Sequence, residues 1–436
     1  MIDTPFIQSK NDLINYFVQG NKPETQWRIG TEHEKLLFDQ QSCARVSYEK
    51  GIEEILTQLQ SFGWQPILEH TKLIGLQRGN ASISLEPGGQ FELSGAPLTT
   101  IHEIRDELDS HLFELKCVAH TLGIRIVGLG VDPISNRNHI PWMPKERYRL
   151  MRQYMPTKGV HGLDMMTATC TVQVNLDFSS EEDMALKFKV AMALQPLATA
   201  LFANSSVKEG KDSGYASYRA AIWQDTDPDR CGLSPFVFEP SFNFEKYVDY
   251  ALSVPMYFVK RDDIYISALG LSFYDFLQGK LSILPGELPT LKDWEDHLST
   301  LFPEVRLKRY LELRGTDAGT SRHVLALPAF WVGLLYDKDN LQEVYDIIKN
   351  WTYDDLKNLY YTVPRLGLNA DFQQRKLREW GQQFLKISQK GLKCRNFKDS
   401  KGLDETNYLA YLEERLISFD AEETQNLEAF IQAHTF

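Results

Sequence analysis

Two-residue alternation of polar and apolar side chains, repeated in segments far apart along the chain, limits what this sequence can fold into more than any other feature. In "TCTVQVNLDF", Thr169, Thr171, Gln173, Asn175 and Asp177 share one face of an extended strand, and Cys170, Val172, Val174, Leu176 and Phe178 share the other. "ASISLEPGGQFELSG" repeats the pattern: Ser82, Ser84 and Glu86 oppose Ile83 and Leu85, Pro87-Gly88-Gly89 supplies a turn, and Gln90, Glu92 and Ser94 resume opposite Phe91 and Leu93. "RLKRYLELRG" sets Arg306, Lys308, Tyr310, Glu312 and Arg314 against Leu307, Leu311 and Leu313, although the Leu307–Leu311 spacing also fits a helix. "RIGTEHEKLLF" puts Glu32 and Glu34 side by side on one face. Strands with one wet face belong to antiparallel sheets.

Between these segments the sequence reads as helix. "LTTIHEIRDELDSHLFELKCVAHTLG" opens with a capping box, Thr100 to Glu103, and stops at Gly123; "IRIVGLGVDP" follows as a buried strand. A second long helix starts in "SSEEDMALKFKV", with acids in its first turn, and Pro196 predicts a kink. From about residue 340 the pattern is helical throughout. Strands mixed with helices, then helices, predict an α+β fold rather than regular βα alternation.

Formal net charge is −12, from 47 Lys and Arg against 59 Asp and Glu, the wrong sign for a general nucleic-acid binder. The longest apolar run, "VAMALQPLATALFA", is broken by Gln195 and Pro196 and too short to span a bilayer. Neither nucleic acid nor membrane is expected as a partner. The five cysteines form no CxxC pair, so neither a zinc site nor a disulfide scaffold is indicated. The start, "MIDTPFIQSKNDL", shows no transit or secretory pattern, and a cytoplasmic protein is expected.

No P-loop, HExxH or GxSxG is present, and "GLGVDP" fails as a dinucleotide motif. Any one of the acidic strand faces is explained by solvation alone. Four together, with acids at paired or turn positions, indicate a shared site. Glu32, Glu34, Glu86, Glu92 and Glu312 do not converge as bare charges; a hard divalent cation taking oxygen ligands, Mg²⁺ with nucleotide phosphates, neutralises such a set, and Arg314 and Lys308 beside it would meet phosphate oxygens. In "YRAAIWQDTDPDRCG", Arg219 beside aromatics suits a carboxylate ligand as well as it suits a core anchor.

The segments "GTEHEKLLF", "EPGGQFELSGAPL", "RYRLMRQYMP", "GLDMMTATCTVQVNLDF", "IWQDTDPDRCG" and "LFPEVRLKRYLELRGTDAG", in order along the chain, resemble plant-type glutamate-cysteine ligase, the form shared by plants and many bacteria. The resemblance implies a curved, mainly antiparallel sheet whose concave face is a bowl-like active site, wrapped by helices: a single catalytic domain over 1–436, with a sheet core to 337 and a helical part over 338–436. It implies ATP-dependent joining of the L-glutamate γ-carboxylate to the L-cysteine amine through γ-glutamyl phosphate, with two or three Mg²⁺ ions. Carried over by motif, Glu32, Glu34, Glu92 and Glu312 are metal ligands, with Glu86 and Gln173 as additional ones. Arg314 would reach the transferring phosphoryl group, and Arg219 a carboxylate of glutamate. Arg147, Tyr148 and Arg152 lie where relatives close over substrate, and Trp223 or Tyr257 would border the cysteine. A monomer or weak homodimer is expected.

Plant members of the family carry cysteine pairs that form redox-sensing disulfides; the matching positions here, Arg105, Leu325, Ala268 and Ile283, cannot. With the start of the chain, this favours a bacterial source. Two other functions stay open: a ligase of the same superfamily with another amine acceptor, and a non-catalytic binder that keeps the sheet.

Overall fold

All four alternating segments enter one nine-stranded sheet in the computed structural model, which describes residues 6–417 and 427–436. In chain order its strands are β1 (Ile29–Asp39), β2 (Gln65–Glu69), β3 (Lys72–Arg78), β4 (Ala81–Leu85), β5 (Phe91–Ser94), β6 (Ile124–Val127), β7 (Thr171–Leu176), β8 (Val305–Leu307) and β9 (Leu311–Asp317). They lie side by side as β8-β9-β7-β1-β5-β4-β3-β2, with β6 on the C-terminal half of β1, and every pairing in the sheet is antiparallel. "RLKRYLELRG" is not one strand but a hairpin: the chain bends over residues 308–310, so that Arg306 pairs with Glu312 and Leu307 with Leu311. The helical alternative is not adopted, because β9 is held between two neighbours.

The apolar faces are sealed by helices. Val172, Val174 and Leu176 are fully buried, in one core with Leu108, Leu194 and Phe330. These come from α1 (Ile101–Thr121), α3 (Glu181–Leu201) and α5 (Ser321–Leu335), while α2 (Glu146–Tyr154) and α4 (Tyr218–Gln224) border the sheet's polar face. The capping box of α1 forms as expected: Glu103 N–H donates to the Thr100 hydroxyl at 3.1 Å, and Thr100 N–H to the Glu103 carboxylate at 3.0 Å. Pro196 lies inside α3, which continues to Leu201 without interruption. Burial on all sides of this helix outweighs the single backbone bond that the proline removes.

Helix α6 (Leu377–Arg395) docks on α5 at two glycines. A Cβ on Gly333 would collide with the Ser388 carbonyl, and one on Gly391 with the Gly333 carbonyl. Asn340 ties both helices by donating to the Gly333 and Ile387 carbonyls at 3.0 and 2.8 Å. Gly333→Ala is therefore expected to destabilise the chain by about 1–3 kcal/mol through overpacking. A thermal melt identical to wild type would show that the two helices are free to part. Among the described residues no helix is long and apolar enough to cross a membrane.

Candidate active site

The strand register assembles on the polar face what alternation distributes among separate segments. Glu34 pairs directly with Glu92, Glu92 with Ser84, Glu32 with both Ser94 and Gln173, and Glu312 with Asn175 and Arg306. Above this floor is a cavity of about 330 Å³ lined by Glu32, Glu34, Glu86, Glu92, Gln173 and Arg314. Its walls include Arg147, Tyr148, Arg219, Trp223, Lys145 and Phe302. Ten of the residues singled out from sequence thus meet in one bowl.

The carboxylates are held apart by separate donors. Asn175 Nδ2 donates to Glu32 at 2.8 Å, Thr171 N–H to Glu34 at 3.0 Å, and the Ser84 and Ser94 hydroxyls to the two oxygens of Glu92 at 2.9 and 3.0 Å. Burial and mutual repulsion make protonation easy. Glu32 is pushed up to about 7 by burial, then by Glu312 and Glu92; Glu34 is driven well above the usual range by burial, then by Glu86 and Glu92; Glu92 rises by burial and Glu86. Among the described residues no three His, Cys, Asp or Glu side chains are close enough to grip an ion as they stand. The donor chemistry nevertheless fits a hard divalent cation: oxygen atoms only, anionic, under-neutralised, and carried by adjacent strands.

Glu312 departs from the expected role. It has no exposed surface, and its oxygens are taken by Arg306 Nε, Lys308 Nζ at 3.1 Å and Arg314 Nη1 at 2.9 Å. Burial alone would raise its carboxyl, but Arg306, Lys308 and Arg314 outweigh that and hold it well below the ordinary range. Lys308, expected at a phosphate, is committed to this carboxylate. Arg314 remains on the bowl surface, where its guanidinium also donates to Gln173 Oε1.

A bulge places Arg314. Opposite β7, Leu313 pairs with Val174 but Thr316 with Val172, so one extra residue is accommodated between them. The freed Arg314 carbonyl accepts Nη2 of Arg219 at 3.1 Å and the Thr171 hydroxyl at 3.1 Å. Arg219 is 4% exposed and held from behind: Ser217 caps α4, and Asp317 accepts the hydroxyls of Ser217 and Ser205 at 2.8 and 2.7 Å. Its Nε has no hydrogen-bond partner, an unmet donor on the wall of the bowl.

Two expected substrate contacts lie elsewhere. Tyr257 is 1% exposed and does not line the bowl: the Arg230 guanidinium covers its ring at 3.8 Å, and its hydroxyl donates to Asp227 at 3.4 Å. Packing against an internal ion pair leaves nothing for a ligand. Arg152 stacks on Trp142 at 4.4 Å and lines an adjoining cavity with Glu69 and Arg149. Lys145, in a loop that carries no periodic signal, was not found from sequence; it lines the bowl and donates to the Leu85 carbonyl at 2.8 Å. Ser84 and Ser94 were detectable, since alternation puts them on the face of Glu92.

Most of the chain is similar to known proteins. Residues 28–434 match the model of glutamate-cysteine ligase family 2. Glutamate–cysteine ligase B of Oryza sativa subsp. japonica, a chloroplastic protein, is 54% identical over 392 residues, 90% of this chain and 79% of the rice protein. The chloroplastic glutamate–cysteine ligase of Arabidopsis thaliana is 53% identical over 90% of this chain and 75% of its own length. In fold, the chain is similar to a solved glutamate–cysteine ligase of Francisella tularensis in complex with AMP, with a TM-score of 0.53 at 12% identity over 92% of this chain and 82% of that one. The expected cytoplasmic location does not stand. The plant relatives are chloroplastic proteins.

Proposed function

This chain belongs to glutamate-cysteine ligase family 2, and from that premise we propose that its bowl brings L-glutamate and ATP together, so that the γ-carboxylate takes the γ-phosphoryl group and the L-cysteine amine then displaces phosphate. Ligation of glutamate to cysteine is the first step of glutathione synthesis and is the activity of this enzyme. The observation that carries the mechanistic reading is the convergence of Glu32, Glu34 and Glu92 with Arg219 and Arg314 on one wet sheet face. An acidic face of this kind takes polyanionic reactants only with divalent cations between the two.

Glu32, Glu34 and Glu92, with Glu86 and Gln173, are the donors that would hold Mg²⁺. When bound, such ions neutralise phosphate oxygens and the charge that develops during transfer. Arg314 acts from the same sheet floor, beside Gln173, where its fixed cation borders the space above the carboxylates. Arg219 takes a substrate carboxylate through the nitrogen that is unmet in the protein alone. Trp223, Arg147 and Tyr148 close the sides and limit water. The chain works as one catalytic domain, as a monomer or weak homodimer.

Phosphate release from Mg-ATP, with glutamate and cysteine each present or omitted, tests the reading. Release that needs both, with γ-glutamylcysteine in the product, is expected. Release with glutamate that ignores cysteine would indicate another amine acceptor. Glu34→Gln is expected to raise the Mg²⁺ concentration needed for half activity at least ~10-fold, because a charged donor is lost. The same variant should melt higher than wild type without metal, since a buried repulsion is relieved. An unchanged Mg²⁺ dependence would remove Glu34 from the ion site.

A further inference from the structure

Glu32, Glu34 and Glu92 lie within paired strands, so the ladder fixes their backbones; Glu86 does not, because β4 ends at Leu85 and Glu86 opens the turn to β5. Its carboxylate is also the least engaged of the four: the donor it meets among the described residues is the Tyr148 hydroxyl, at 3.4 Å. Where this carboxylate stands in the bowl therefore depends on what holds the turn.

The turn is held from behind. Gly88 N–H donates to Gln90 Oε1 at 2.9 Å, and Gln90 Nε2 donates onward to the Met166 and Thr169 carbonyls at 3.2 and 2.8 Å. The Pro87 carbonyl accepts Met143 N–H at 2.9 Å, and the Gly88 carbonyl accepts Nη2 of Arg45 at 2.6 Å. A Cβ on Gly88 would collide with the Thr167 carbonyl, so the turn backbone packs directly on that segment. The other arm of Arg45 is committed as well: Nη1 donates to Asp132 Oδ2 at 3.1 Å, and the two side chains are 1% and 0% exposed. Asp132 is anchored in its turn, with Oδ1 accepting the N–H groups of Ile134 and Ser135, each at 2.8 Å, and its own N–H donating to the Ala168 carbonyl at 2.8 Å. Neither Arg45 nor Asp132 lines the bowl. A buried ion pair adds little net stability, because desolvation offsets the attraction. What this pair supplies is a fixed guanidinium whose second arm sets the Gly88 carbonyl, two residues from Glu86.

We propose that Arg45, locked by Asp132, is a positioning residue: through the Gly88 carbonyl it fixes the Glu86 turn, and so sets how tightly the floor of the bowl holds a divalent cation. This rests on the function proposed above, in which Glu86 is one of the ion's donors. A carboxylate on a free turn must be ordered when the ion arrives, whereas one on a clamped turn is already in place; outer contacts of this kind change metal affinity about 10–100-fold.

Arg45→Lys tests the role with the fold kept, since an ammonium still pairs with Asp132 but lacks the second arm for Gly88. Mn²⁺ alone is the probe, titrated into ligand-free protein and followed by the electron paramagnetic resonance signal of the free ion. Arg45→Lys is expected to weaken Mn²⁺ binding about 10-fold, and Glu86→Gln by at least as much. In the double variant the lysine is expected to add less than about twofold, because a carboxylate that is gone needs no positioning. General loosening of the fold would weaken binding equally in both backgrounds, so an equal effect of the lysine with and without the Glu86 carboxylate overturns the positioning role, as does no effect in either; both leave the proposed function intact. Unchanged Mn²⁺ binding in Glu86→Gln alone removes Glu86 from the ion site and overturns the inference with it. Wild-type protein that binds no Mn²⁺ would overturn the ion site of the proposed function itself.

Discussion

Arg314→Ala is expected to lower kcat about 10³-fold while the KM for ATP moves less than about threefold. The guanidinium is fixed by Glu312 and Gln173 and lies on the sheet floor of the bowl, beside the strand that pairs with the one carrying Glu32. A cation held there meets the phosphoryl group chiefly as it passes between donor and acceptor oxygens, so its loss is felt in the transition state more than in the bound nucleotide. Arg314→Lys should recover only part of the rate, because a compact, strongly hydrated ammonium does not reproduce the planar, delocalised guanidinium, whose Nη1 alone serves Gln173 and Glu312. Comparable losses in kcat and ATP affinity would make Arg314 a ground-state anchor. The fold should survive the substitution, since Arg306 and Lys308 remain on Glu312.

Glu312→Gln should do the reverse and act first on stability. The carboxylate is fully buried and is the shared counter-ion of Arg306, Lys308 and Arg314. Glutamine keeps the volume and removes the charge, leaving three cations facing one another in a buried site. Breaking a buried pair in this way costs about 3–5 kcal/mol, on the order of a 5 °C fall in Tm for a chain of this size. The sign of the pH dependence follows from the depressed carboxyl of Glu312. Its contribution is fully present above the ordinary carboxylate value of 4.5 and is lost as pH falls from there through the lower folded-state value, so wild type and variant should converge only in acid. Equal melting temperatures at neutral pH would show that solvent, not Glu312, neutralises the three cations.

Much of the site was legible before any coordinates, because alternation is a local property. Once Thr171 to Leu176 is extended, Gln173 must share a face with Asn175. The same rule aligned Glu32 with Glu34, and Glu92 with Ser84 across the turn at Pro87-Gly88-Gly89. The capping box of Thr100 and Glu103 was legible for a like reason, since it spans a single helical turn. Spacing is silent where a side chain's surroundings depend on how the chain turns or on a partner remote in sequence. Glu312 was expected at a metal, and the hairpin sets Arg306 directly opposite it, as a counter-ion the strand pattern did not show. Tyr257 was expected at a substrate, but Arg230 covers it. Local spacing does not show which of several nearby cations or rings will arrive first.

The sequence by itself determined which residues face the same way within each strand, where the first long helix starts, and that the acids would need cations. The tertiary structure alone decided that β9 lies against β7 and β7 against β1, which brings Glu312, Gln173 and Glu32 from three remote segments into adjacent positions. It alone decided the bulge that turns the Arg314 carbonyl toward Arg219, and the hold of Arg45 on the Gly88 carbonyl. The physical reason is that the side-chain period of a strand follows from its own backbone, whereas register and bulges are set by the packing of all strands and helices at once.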